Sequence, residues 1–141
     1  MNLEDTFPNL RNKNYKITSS QSTDYNCIAW AVHDTDTWWW PDPNNIGYWP
    51  QNVPRYVSLE VFIKAFETLS YKICSSGEYE EGIEKIAIFT KDGIPTHAAR
   101  QINPFFWTSK IGRDVDIYHE IDGVSDSLYG SIAIFMKKSI L

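Results

Sequence analysis

The sequence predicts an α+β domain, with N-terminal helices packed on one side of an antiparallel sheet of four to five strands. Three observations carry that expectation. Both segments with helical signatures lie before residue 70, the remainder is dominated by short apolar runs with strand character, and those runs follow one another through turns too short for parallel crossovers. The 141 residues form a single domain, 1–141, in which residues 1–20 read as an irregular arm.

The arm ends in the polar cluster "TSSQST", which suits a loop before a helix. Thr23 or Asp24 is the expected N-cap, placing Cys27 in the first turn of a helix that runs to about Val32. Asp34 to Pro54 carries Pro41, Pro43, Pro50, Pro54 and Gly47 and reads as a long loop pinned by its own aromatic side chains. Ser58 then caps an amphipathic helix, with Leu59, Phe62, Ile63, Phe66 and Leu69 at helical spacing. Beyond it, "YKICSS", "IEKIAIFT", "THAARQI", "FFWTSKIG" and "SIAIFMKK" read as strands, with "KDG" and "NP" as turns.

Composition narrows the function classes. A formal charge of -5 with no Lys/Arg cluster leaves no electrostatic footprint for nucleic acid. No apolar run approaches the ~18 residues of a membrane span, and the polar N-terminus lacks a secretory pattern, so a cytoplasmic location is expected. Two cysteines, Cys27 and Cys74, point to thiol chemistry rather than a disulfide scaffold. Aromatic residues reach 15%, and Trp38, Trp39, Trp40 and Trp49 fall in one segment.

A thiol enzyme needs a nucleophile, a base, a group that orients the base, and oxyanion donors. Cys27 is the candidate nucleophile, since a helix N-terminus favours a thiolate and lowers its pKa from ~8.5 toward neutrality. His97 is the candidate base, projecting from the strand "THAARQ" on the face it shares with Ala99 and Gln101. Counting outward from the turn at 103 and 104 pairs His97 with about Ser109 or Lys110, and Ser109 is the expected orienter. Gln21 or Asn26, with the Cys27 N–H, are the oxyanion donors. Trp38, Trp39, Trp40, Arg100 and Lys110 are the expected substrate-binding residues, the tryptophans serving as a lid over the first helix. His33 and His119 read as loop or surface residues and form no zinc spacing with Asp34 and Asp36, and no metal or other cofactor is expected.

The blocks "YNCIAWAV", "WWWPDP", "THAARQ" and "WTSKIG" resemble those of a bacterial domain-of-unknown-function family, over nearly the whole chain from about Tyr25. More distantly, a Cys on a helix N-terminus, a His on a later strand and a polar residue on the next strand are similar to papain-like cysteine hydrolases, including the NlpC-type and CHAP-type members. That resemblance implies a papain-like fold, with Cys27 as nucleophile, His97 as base, Ser109 as third member and Gln21 as the oxyanion glutamine. The expected activity is a cysteine hydrolase or acyltransferase on an amide, isopeptide or thioester bond of a peptide-like or small-molecule substrate. The alternatives are a non-catalytic module that binds a protein partner and an aromatic-loop ligand-binding module.

Overall fold

A computed structural model of the protein describes residues 2–140. It shows strands β1 (Tyr15–Ile17), β2 (Lys72–Cys74), β3 (Ile83–Lys91), β4 (Ile94–Gln101), β5 (Trp107–Lys110), β6 (Asp116–His119) and β7 (Ser131–Ser139). They form one seven-stranded sheet in the order β1-β6-β5-β4-β3-β7-β2, every neighbouring pair antiparallel. Helices are few and short: α1 (Leu3–Thr6), a 3-10 helix (Pro8–Asn12), α2 (Cys27–Ala31) and α3 (Leu59–Glu67).

This corrects the expected papain-like α+β fold with helices on one side of four to five strands. The two strands that sequence reading missed, β1 and β6, have three and four residues and pair with each other at one end of the sheet. The arm is not irregular either, because α1, the 3-10 helix and β1 all lie within it.

The physical reason is burial on both faces. Lys85 to Phe89 of β3 are all buried, the signature of a strand covered on both sides. Ile86, Ile88, Ala98 and Met136 look toward α2, α3, Trp39 and Trp49. Ala87, Phe89, Ala99, Trp107 and Ile117 look the other way, toward Leu3, Phe7, Leu10, Val124 and Tyr129. The N-terminal arm and the segment before β7 therefore form the second covering layer.

Turn chemistry sets the register of the central hairpin. Asp92 and Gly93, both at positive φ, join β3 to β4 as a two-residue turn of the kind that matches strand twist. Gly130, at φ +75°, brings the chain onto β3 so closely that an added Cβ would lie 2.1 Å from the Thr90 carbonyl oxygen. Only glycine fits that approach.

The aromatic loop is ordered from within. Trp40 N–H donates to Tyr48 O at 2.9 Å and Tyr48 N–H to Trp38 O at 2.7 Å. The Asp42 carboxylate accepts the Ile46 and Gly47 N–H groups. Trp39 is buried, its indole N–H donating to Asp34 Oδ2, and Trp40 packs edge-on against Phe62 of α3. Trp38 is half-buried beside the Arg113 guanidinium. Trp39→Ala should therefore cost about 3 to 5 kcal/mol in urea unfolding, the usual loss for a buried aromatic, and Trp38→Ala clearly less. Equal, small losses for the two would show that the loop is not anchored through Trp39.

Candidate functional site

Cys27 is the first residue of α2, and its N-cap is Asn26 rather than Thr23 or Asp24. The Asn26 Oδ1 accepts N–H groups from Ala29 at 3.2 Å and Trp39 at 3.1 Å, while Nδ2 donates to Trp39 O at 2.6 Å. One side chain thus caps the helix and ties it to the aromatic loop. One of the two Nδ2 hydrogens, like the oxygen, is thereby taken up in holding the helix start to the loop.

α2 lies against β4 and β5 where their ladder opens. The two strands pair only at Arg100↔Thr108 and Gln101↔Trp107. Beyond that point the Ala98 N–H faces the Cys27 sulfur, together with the N–H groups of Ile28 and Cys27 itself. Burial nevertheless dominates and pushes the Cys27 thiol up to about 11, against those donors and the Lys110 charge. The expected lowering toward neutrality is therefore corrected: α2 has only five residues, too short a dipole to offset full desolvation. Cys27 and Cys74 are both free thiols, the first buried and the second partly so.

His97 projects from the opposite face of the sheet and is wholly buried. Its ring stacks on Tyr129 with centroids 4.0 Å apart and planes 1° from parallel, and meets Phe89 edge-on at 5.2 Å. Nε2 lies 2.9 Å from Ser109 Oγ, Ser109 Oγ lies 2.7 Å from His119 Nε2, and His119 Nδ1 lies 2.6 Å from Glu120 O. The two pairs extrapolate to Ser109 beside Ala99 rather than His97, a displacement of two residues along β4. Ser109 still shares the imidazole's face and reaches it diagonally.

This chain fixes every proton in it. Glu120 O can only accept, so His119 Nδ1 carries hydrogen. Desolvation lowers the His119 pKa to about 4, leaving Nε2 a bare acceptor for the Ser109 hydroxyl. The serine oxygen then accepts from His97 Nε2–H. His97 is itself held well below its ordinary value, by burial first and then by the His119 charge. Its Nδ1 is therefore an unprotonated lone pair, buried and without a hydrogen-bond partner, the Cys27 thiol included.

The remaining predicted site residues divide. Gln21 is exposed and lines a cavity with Ile111, Leu128 and Tyr129. Arg100 and Lys110, expected to bind substrate, are buried. Arg100 donates to Trp30 O and lies over the Trp30 ring. Lys110 Nζ donates to Ser22 O at 2.8 Å and Gly112 O at 2.6 Å. Arg100 thus ties α2 to the sheet, and Lys110 ties the Ser22 and Gly112 loops to it. Trp39 is likewise packed away, leaving Trp38 and Trp40 half-exposed. Sequence reading missed His119, Tyr129 and Glu120; the alternation of Ile117 and His119 about Tyr118 is the one local signal for the first.

The fold and cluster define a class: an antiparallel sheet covered on both faces, with a thiol in an opened ladder and a serine-oriented imidazole beneath a tyrosine. The chain belongs to the family described as domain of unknown function (DUF7689), whose profile matches residues 16–137. That match carries the domain-of-unknown-function resemblance and extends neither to its individual sequence blocks nor to papain-like hydrolases. No curated protein and no solved structure matches the chain. Among the described residues, no helix is long and apolar enough to cross a membrane, and no three His, Cys, Asp or Glu side chains gather in a metal-holding group.

The two depressed histidines make stability pH-dependent. In the unfolded chain each takes a proton near pH 6.5; in the folded protein His119 waits until about 4, and burial holds His97 well below its ordinary value too. Stability is complete above 6.5 and falls with pH below it, by about 1.4 kcal/mol per pH unit for each group. Urea unfolding between pH 6.5 and 5 should show the slope of two histidines, and His119→Gln should halve it. A midpoint constant over that range would contradict the buried neutral pair.

Proposed function

We propose that this domain is a cysteine hydrolase or acyltransferase acting on an amide, isopeptide or thioester bond of a peptide-like or small-molecule substrate. The observation that supports it is the His97 ring: Ser109 and His119 orient it, and its one free lone pair is buried and unsatisfied. An orphaned buried acceptor costs stability, about 1 to 3 kcal/mol, and is expected where a reaction uses it.

In this reading Cys27 Sγ attacks the carbonyl carbon as its proton passes to His97 Nδ1. The charge that develops on His97 is shared through Nε2–H with Ser109. His97 then returns the proton to the leaving group as the carbonyl bond to it breaks, leaving an acyl group on Cys27. Water or an amine takes the acyl group by the same proton route. The oxyanion is assigned to the Gln21 amide and the Cys27 N–H. Ser109 is a positioning residue, since it acts through the imidazole. The route uses no metal or organic cofactor.

The protonation states make this mechanism distinguishable from a thiolate–imidazolium pair. The thiol stays protonated to about 11 and the imidazole stays neutral. Acylation by the butyryl thioester of N-acetylcysteamine should therefore be flat from about pH 6.5 to 9, followed by intact-protein mass spectrometry. A rate that climbs tenfold per pH unit would indicate reaction through free thiolate alone.

Substitutions test the roles directly. The label should map to Cys27 and vanish in Cys27→Ala; His97→Gln should slow it at least 100-fold, and Ser109→Ala by about tenfold. Labelling of Cys74 instead, or an unchanged rate in His97→Gln, would remove the catalytic reading. The alternative of a non-catalytic module that binds a protein partner would then rest on exposed Ile46, Tyr48, Tyr56 and Val57 beside the aromatic loop.

A further inference from the structure

Beside the turn that joins β4 to β5 lies a cavity of about 550 Å³, the size of a small-molecule site. Neither Cys27 nor His97 lines it. Three loops build its walls, and each is held in place. The segment 76–80 is clamped to the sheet by the buried Lys85, whose Nζ donates to Ser76 O at 3.0 Å and pairs with Glu80 at 2.7 Å. Gln101 Nε2 donates to Gly77 O at 2.8 Å, and Gly77 lets the segment close onto Phe135, whose ring would lie 2.6 Å from an added Cβ. In the turn after β4, Asn103 Oδ1 accepts the Phe105 and Phe106 N–H groups at 2.8 and 2.9 Å. On the third side the Lys13–Asp122 ion pair at 3.1 Å and the Asn14 N–H, donating to Glu120 Oε2 at 2.6 Å, tie the arm to the segment after β6.

The lining combines exposed apolar surface with an excess of carboxylate. Phe105, Tyr79 and Ile121 all line this one cavity and leave 75%, 41% and 38% of their surface open. Large apolar side chains clustered in this way, rather than scattered singly, mark a binding surface. With them stand three carboxylates, Glu78, Glu120 and Asp122, against the single ammonium of Lys13. Lys13 is paired with Asp122, whereas Glu78 is exposed and has no ion-pair partner among the described residues. Gln101 Oε1, a buried acceptor with no partner, adds to the acceptors of the lining residues.

We propose that this cavity binds a small molecule carrying a guanidinium group on an aliphatic chain. A guanidinium is a planar cation that lays its face on an aromatic ring and presents N–H groups at its edge. Tyr79 and Phe105 supply the rings, Glu78 the carboxylate that takes the N–H groups, and Ile121 the apolar contact for the chain. An uncharged isostere of the same shape keeps only the apolar part of this recognition. The site goes beyond the acyl-transfer reading and does not depend on it.

Butylguanidinium tests this, titrated into the full chain and followed through the backbone and indole N–H signals in nitrogen-15 NMR. The shifts should gather at Gly77, Tyr79, Phe105 and Trp107, with an affinity about tenfold above that of neutral butylurea. Phe105→Ala and Glu78→Gln alter exposed side chains and leave the core intact. The first should weaken binding about threefold, as for an exposed cation–ring contact, and the second about tenfold, as for a hydrogen bond to a charged group. Glu67→Gln, the same charge change on an exposed site of α3, should leave the affinity unaltered. Equal affinity for butylurea, shifts gathered elsewhere, or a Glu78→Gln protein that binds like the wild type overturns the proposal. Binding of N-acetylarginine methylamide without binding of butylguanidinium also overturns it, by placing the arginine of a peptide chain in the cavity instead. Cys27→Ala removes the acyl-transfer chemistry and should bind butylguanidinium like the wild type, so the two readings fail separately.

Discussion

The hydrogen-bonded row His97–Ser109–His119 ties three strands of the sheet to one register. Its three side chains come from three adjacent strands, β4, β5 and β6, and are buried. Each link satisfies a group that would otherwise be stranded away from water at about 1 to 3 kcal/mol. A slip of β5 by one residue would turn Ser109 to the other face and break both links at once. The row therefore fixes register across half the sheet, and it needs a roof to stay dry. Leu3, Phe7 and Leu10 of the arm, with Val124 and Tyr129, supply that roof. The N-terminal arm is thus structural, although its strand has only three residues.

Cys27 and His97 lie on different faces of the sheet. Cys27 belongs to the layer under α2 and α3, while His97 belongs to the layer under the arm. Cys27 sits at the start of α2, which lies against β4 and β5, and those two strands pair only at Arg100↔Thr108 and Gln101↔Trp107. Asn26 caps the helix there with one hydrogen bond and ties it to the tryptophan loop with two more. Burial keeps both groups neutral. A buried, neutral thiol is also the less reactive form toward adventitious oxidants.

Much of the secondary structure was legible in the sequence. Periodicity placed α3, and "KDG" between two apolar runs placed the β3–β4 hairpin with its turn. What failed was the count of layers. Tyr15–Ile17 and Asp116–His119 are too short to show alternation, and their pairing is a tertiary fact. The buried run through Ile86 to Phe89 did signal a strand covered on both sides, but its second cover sits in a segment that looks irregular. At the site, strand parity was enough to put Ser109 on the face of His97. Arg100 and Lys110 misled because charge reads as exposure, whereas here each is satisfied by backbone carbonyls and an aromatic face. His119 had only its alternation with Ile117 as a local signature of burial, and Tyr129 none of its stacking partner.

The tautomers of the two buried histidines are the most direct test of the central claim, because the proposed chemistry needs a bare Nδ1 on His97. Nitrogen-15 NMR of the imidazole rings at pH 6 should show both histidines neutral, His97 protonated at Nε2 and His119 at Nδ1. A His97 ring protonated at Nδ1, or an imidazolium at that pH, would contradict the assignment.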